Sequence, residues 1–162
     1  WIIGEMNGSS VHNVTFEILE KGRCLAAQMN SGLHVIISGR SCGEAAKDLA
    51  HRGADEVIVM EDRMLGESNP FVHAKAIAQY FEKEKPWAVL IGATAFGRGL
   101  AAAMAGKMGA EMIVDAMDMT FNSAMDRLVV TKPAADQASL AEVIIDGGAA
   151  QMITVRPRQD PG

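Results

Sequence analysis

Trp87-Ala88-Val89-Leu90-Ile91-Gly92-Ala93-Thr94-Ala95-Phe96-Gly97-Arg98-Gly99 joins an apolar run to a loop of small residues, which opens a helix-forming stretch ending at Met108 before Gly109. An apolar run without alternation marks a central parallel strand covered on both faces. A small-residue turn that leads from its carboxyl end into a helix is the layout of an open α/β sheet. The same unit recurs towards the N-terminus. Trp1 to Gly4 reads as a strand, and Val14 to Met29 has helical spacing at Val14, Ile18, Leu25 and Met29. Gly32 is expected to supply the left-handed residue after that helix. Leu33–Ile37 is a second strand. Ser41-Cys42-Gly43-Glu44 has the spacing of a capping box for a helix to Arg52, and Glu56–Met60 is a third strand. Asn69-Pro70 starts a helix running to Lys85, ahead of Pro86. Arg52-Gly53-Ala54-Asp55 and Met108-Gly109-Ala110-Glu111 read as the same helix-to-strand turn, with glycine at positive φ.

After Glu111 the pattern changes to short strand-like runs: Met112 to Met119, Leu128 to Thr131, Ala141 to Ile145 and Met152 to Val155. They predict an extension or antiparallel edge on the main sheet, with Asp146-Gly147-Gly148 as the clearest turn. The expected fold is a three-layer α/β/α arrangement with a mostly parallel sheet and a strand-rich C-terminal portion.

Composition restricts the function classes. The 162 residues are 49% hydrophobic and 22% charged, so a packed core forms and disorder is excluded. No apolar run approaches the ~18–20 residues that span a bilayer. The apolar start at Trp1 lacks the basic leader of a signal peptide and is expected to follow only a short preceding segment. A net charge of −5, with no basic cluster, speaks against nucleic acid and anionic membranes as partners. Cys24 and Cys42 are too few for a disulfide scaffold, and 11 methionines suit a reducing compartment.

The candidate ligand loop is Gly92 to Gly99, where helix amides and dipole favour an anion and where Gly92, Thr94, Gly97 and Arg98 are the candidate binding residues. The loop is neither Gly-x-Gly-x-x-Gly nor a Walker motif, and small residues serve equally to pack the helix closely on the sheet. The small-residue helix Leu100 to Gly106 suits a close-packed core or one face of a subunit contact. His12, His34, His51 and His73 fall in different elements without metal-ligand spacing, so no metal site is expected. Cys42, in a helix's first turn, has a position that lowers a thiol's pKa, yet no Cys-x-x-Cys pair accompanies it. Asp115 and Asp118, three apart in one strand, face opposite sides and read as solvated charges. No nucleophile elbow occurs, and no catalytic set emerges.

Taken in order, these motifs resemble the electron transfer flavoprotein alpha subunits. Gly92-Ala93-Thr94-Ala95-Phe96-Gly97-Arg98 is similar to that family's Gly-Ala-Thr-Ala-x-Gly-Arg stretch. Val130-Thr131-Lys132-Pro133-Ala134 is similar to its Val-Thr-Arg-Pro-Ala segment, and Thr154-Val155-Arg156-Pro157 to the Thr-Val-Arg-Pro closing its N-terminal domain. The chain departs from the pattern at Lys132 (usually arginine), at Ala135 to Ser139 (commonly Tyr-Gly-Gly-Asn-Ala), at Gly99 (often aspartate) and at Ala116 (near a frequent cysteine).

The resemblance implies a heterodimeric carrier of electrons from dehydrogenases to a quinone reductase or similar acceptor. It also implies FAD held mainly by a C-terminal domain absent here, so no cofactor is expected on this chain. On this reading residues 1–156 are the N-terminal domain and 157–162 the start of a linker to the FAD-binding domain. The chain would be a non-enzymatic scaffold that docks a beta subunit through the small-residue helix and the late strands, in the cytoplasm or a mitochondrial matrix. Two alternatives remain. One is a stand-alone adenine-nucleotide-binding protein of the universal-stress class, using Gly92 to Gly99. The other is a self-associating module with strands pairing between copies.

Overall fold

The computed structural model describes residues 1–145 and 150–158, so the Asp146-Gly147-Gly148 turn and the end of the expected linker, residues 159–162, lie outside the described residues. Six strands form one parallel sheet. In chain order they are β1 (Ile2–Ile3), β4 (His34–Gly39), β5 (Glu56–Glu61), β6 (Ala88–Gly92), β7 (Glu111–Ala116) and β11 (Gln151–Val155). A small hairpin of β2 (Met6–Asn7) and β3 (Ser10–Val11) precedes the first helix. The lateral order is β5-β4-β1-β6-β11-β7.

Strand alternation sorts the apolar side chains onto two faces. Ile2, Val35, Ile37, Leu90 and Ile153 belong to one core, and Ile3, Ile36, Val89, Ile91 and Met152 to the other. α1 (Asn13–Met29) and α2 (Gly43–His51) cover the first face through Val14, Ile18, Leu19, Leu25, Ala45 and Leu49. α3 (Pro70–Glu84) and α4 (Ala95–Met108) cover the second through Ile77, Phe81, Leu100 and Met104. Each fully buried aliphatic of this size contributes about 1.5–3 kcal/mol, so the two cores drive folding from both sides of the sheet.

The late strands do more than extend an edge. β8 (Asp118–Asn122), β9 (Arg127–Pro133) and β10 (Leu140–Ile145) form a separate antiparallel sheet, in the order β10-β9-β8. It packs on the α1 side: Met119, Leu128, Val130 and Ile145 join the first core, and the Phe121 N–H donates to the Gln28 side chain at 2.9 Å. β11 then returns to the parallel sheet and inserts between β6 and β7. The expected edge is therefore corrected to an excursion followed by an interior strand. The Met112 to Met119 run is also divided, at Met117, whose N–H donates to the Thr131 carbonyl; within β7, Asp115 takes φ 60° where the β7–β11 register shifts, and its N–H donates to Thr154 Oγ1.

Helix ends supply two further corrections. Asn30, not Gly32, takes the left-handed conformation after α1, with φ 52°, and its N–H reaches the carbonyls of Ala26 and Ala27. The capping box at Ser41 does not form: Cys42 is the α2 cap residue and makes no side-chain capping bond. Its own N–H goes to Glu61 Oε1 at 2.8 Å, an acceptor supplied from across the sheet by the end of β5. Three other ends follow the sequence. Asn69 caps α3 by accepting the Phe71 N–H, and Gly53 and Gly109 have φ of 113° and 64°.

Candidate functional site

From β1 the chain moves outward one way to β4 and β5, and from β6 it moves the other way, so the topological switch lies between β1 and β6. Ligands of open α/β sheets enter at the carboxyl ends there. The structure brings Gly92, Thr94, Gly97 and Arg98 to this position, with Glu5 facing them from the end of β1. Thr94 is the α4 cap: its hydroxyl accepts the Gly97 N–H at 3.0 Å and donates to Glu5 Oε1. Arg98 turns onto its own loop, donating to the Ala93 carbonyl at 2.7 Å. A Cβ at Gly97 would lie 1.8 Å from the Gly92 carbonyl oxygen, so only glycine allows the helix to sit this close to the strand.

Glu5 is the centre of this cluster. Its N–H donates to Thr15 Oγ1, and its carboxylate lies 3.6 Å from His12 Nε2. His12 caps α1 in turn, its Nδ1 accepting the Val14 N–H. A carboxylate of the chain's own thus stands before the amino end of α4, where the helix dipole favours negative charge. A pyrophosphate entering the crevice would meet like charge. Three cavities among the described residues measure about 250, 300 and 390 Å³, at the small end of the range for small-molecule sites.

The remaining candidates are dispersed. Cys42 is fully buried, and that burial, followed by the Glu61 carboxylate, pushes its thiol pKa up from the usual value. The helix-dipole expectation is thus corrected, because desolvation and a nearby acid outweigh a partial charge. His34 stacks on Trp1 with ring centroids 5.1 Å apart, and its buried Nδ1 lacks a hydrogen bond. Asp115 pairs with Arg156 at 3.6 Å, while Asp118 opens the other sheet. Among the described residues no group of three or more His, Cys, Asp or Glu is placed to hold a metal, and no helix is long and apolar enough to cross a membrane.

Two features escaped the sequence reading. Ser38, inside the apolar strand β4, lies 2.6 Å from His73 Nδ1 of α3, and both residues are buried. They sit in the wall of the 250 Å³ cavity. The one sequence signal was a serine directly after Val35-Ile36-Ile37. The second feature is apolar exposure: among the described residues β7 has a strand partner on one side only, and Met112 and Val114 on it and Met117 after it are exposed. On the edge strand β10, Leu140 and Ile144 are 62% and 54% exposed.

The sequence matches the family model described as electron transfer flavoprotein domain over residues 1–161. It is similar to the electron transfer flavoprotein subunit alpha of Megasphaera elsdenii, at 31% identity over 157 residues, covering 97% of this chain and 46% of that one. It is also 30% identical over 146 residues to the lactate dehydrogenase (NAD(+),ferredoxin) subunit LctC of Acetobacterium woodii, covering 90% and 35%. The match to the acryloyl-CoA reductase electron transfer subunit beta of Anaerotignum propionicum is 33% over 130 residues, covering 79% and 35%. The chain spans about half the length of the alpha subunits it matches.

Proposed function

This chain belongs to the electron transfer flavoprotein domain family, and we propose that it serves as the N-terminal domain of an alpha-type subunit in an FAD-containing heterodimeric electron carrier. Its part is a non-catalytic scaffold. Residues 1–156 form the docking body, and 157–162 begin the connection to a flavin-holding domain. The observation that carries this reading is the Glu5–Thr94 contact: the crevice where an α/β sheet would take a cofactor is filled by the chain's own acid. The exposed apolar residues on β7 and β10 support a docking role, because an unpaired strand edge with apolar side chains is covered in a working assembly. The partner is a beta-type subunit.

Electron donors are dehydrogenases, and the acceptor is a quinone reductase or a protein of similar role. The relatives named as a lactate dehydrogenase subunit and an acryloyl-CoA reductase electron transfer subunit support that class of partner. The compartment is the cytoplasm, or the mitochondrial matrix in a eukaryote. The stand-alone adenine-nucleotide reading through Gly92, Thr94, Gly97 and Arg98 is disfavoured by the same carboxylate, which repels a phosphate.

Co-expression of the full-length subunit with its beta-type partner tests the proposal. The expected result is a yellow heterodimer with stoichiometric flavin, and a colourless preparation of this chain alone. Flavin retained stoichiometrically by residues 1–162, or a subunit that stays monomeric beside its partner, overturns it.

A further inference from the structure

The 250 Å³ cavity lies at the carboxyl end of β4, with His73 near the amino end of α3 and Phe96 near that of α4 in its wall. Its floor is polar at a depth where packing alone calls for apolar side chains. Ser38 and His73 are 5% and 4% exposed, and burying two polar side chains is costly unless their groups are matched.

The hydrogen bonds fix which atoms carry protons. His73 Nε2 lies 2.9 Å from the Glu67 carbonyl oxygen, which can only accept, so Nε2 holds the ring proton. In the neutral imidazole Nδ1 is then the acceptor, and the Ser38 hydroxyl, 2.6 Å away, donates to it. With its hydrogen committed, Ser38 Oγ offers the cavity lone pairs only. The floor therefore asks for a donor from whatever occupies it. Phe96 packs edge-on against His73, with centroids 5.1 Å apart and planes at 90°, and locks the imidazole in this orientation.

The walls ask for something else. Arg40, Ser9, Ser41 and Ser68 line the cavity, and Glu67 is the one acid among the lining residues. Among the described residues Arg40 takes part in no ion pair. A guanidinium with several hydroxyls matches the geometry and charge of a phosphate group.

We propose that this cavity binds a small phosphate monoester bearing a hydroxyl group, with Arg40, Ser9, Ser41 and Ser68 on the phosphate and Ser38, held by His73, accepting from the ligand hydroxyl. The volume admits a phosphorylated sugar or polyol and excludes a dinucleotide. This inference stands apart from the electron-carrier reading, since it needs neither the partner subunit nor flavin.

Titration calorimetry of this chain with ribose 5-phosphate, inorganic phosphate and ribose tests it. The expected order of affinity is ribose 5-phosphate, then phosphate, then ribose. Arg40→Ala, at an exposed position, should weaken ribose 5-phosphate by about tenfold or more, the loss of roughly 1.4 kcal/mol. Ser38→Ala should reduce ribose 5-phosphate to the affinity of phosphate itself. Silence with all three compounds, undiminished affinity in Arg40→Ala, or phosphate binding as tightly as its sugar ester each overturns the proposal. Should Ser38→Ala fail to fold, the Arg40→Ala comparison and the ligand order still decide.

Discussion

Single side chains and even single Cβ atoms set the tolerances of this domain. Adding a methyl at Gly97 drives it into a backbone oxygen that cannot rotate away. Gly97→Ala should therefore cost more than about 3 kcal/mol, read as a fall in the urea midpoint at unchanged slope. Cys42 gives a prediction with a sign. Its pKa is raised in the folded state, so its contribution to stability is whole at neutral pH and is lost as pH climbs past the ordinary thiol value of about 9.0. Urea midpoints should drop between pH 8 and pH 10, and Cys42→Ala should flatten that drop; an identical slope in the variant refutes the assignment. Exposed Cys24 should meanwhile react with a thiol reagent well before Cys42 does. The sequence revealed Asn69, Gly53 and Gly109 because their neighbours alone dictate their roles. Glu61 as acceptor for the Cys42 N–H was invisible, since that partner comes from another strand, 19 residues away.

Elements were legible where burial is symmetric. The continuous apolar runs of β4 and β6 announce strands covered on both faces, the spacing in α1 announces a one-sided helix, and Asn69-Pro70 announces the start of α3. β11 looks the same as any short apolar run, and nothing local says that it lies between β6 and β7 rather than beside β10. Caps allow a direct comparison. Asn69→Ala removes one capping bond and should cost about 1 kcal/mol. Thr94→Ala removes the α4 cap together with the tie to Glu5, and should cost visibly more in the same denaturation series. Hydrogen exchange should rank the strands too. Amides of β6, flanked by β1 and β11, should be the slowest, and those of β10, paired on one side and half exposed, the fastest.

For the molecule as a whole, the ordered motifs reached further than periodicity could, since composition offered only an acidic α/β domain without a catalytic set. The polar cavity was hidden because its walls come from five separate segments, near residues 8, 40, 67, 73 and 96. The proposed assembly has a measurable consequence: docking of a beta-type partner on β7 should bury Met112 and Val114, and Val114→Lys should weaken that proposed heterodimer while leaving the isolated domain's melting temperature within a few degrees. Among the described residues β7 finds its sheet partner in β11, which is synthesised only after the whole antiparallel excursion. A ribosome that pauses anywhere before residue 151 holds a nascent chain with one strand stranded and the slot beside β6 vacant. Completion of the parallel sheet thus waits on β11, and a holdase chaperone has its widest opportunity in that interval.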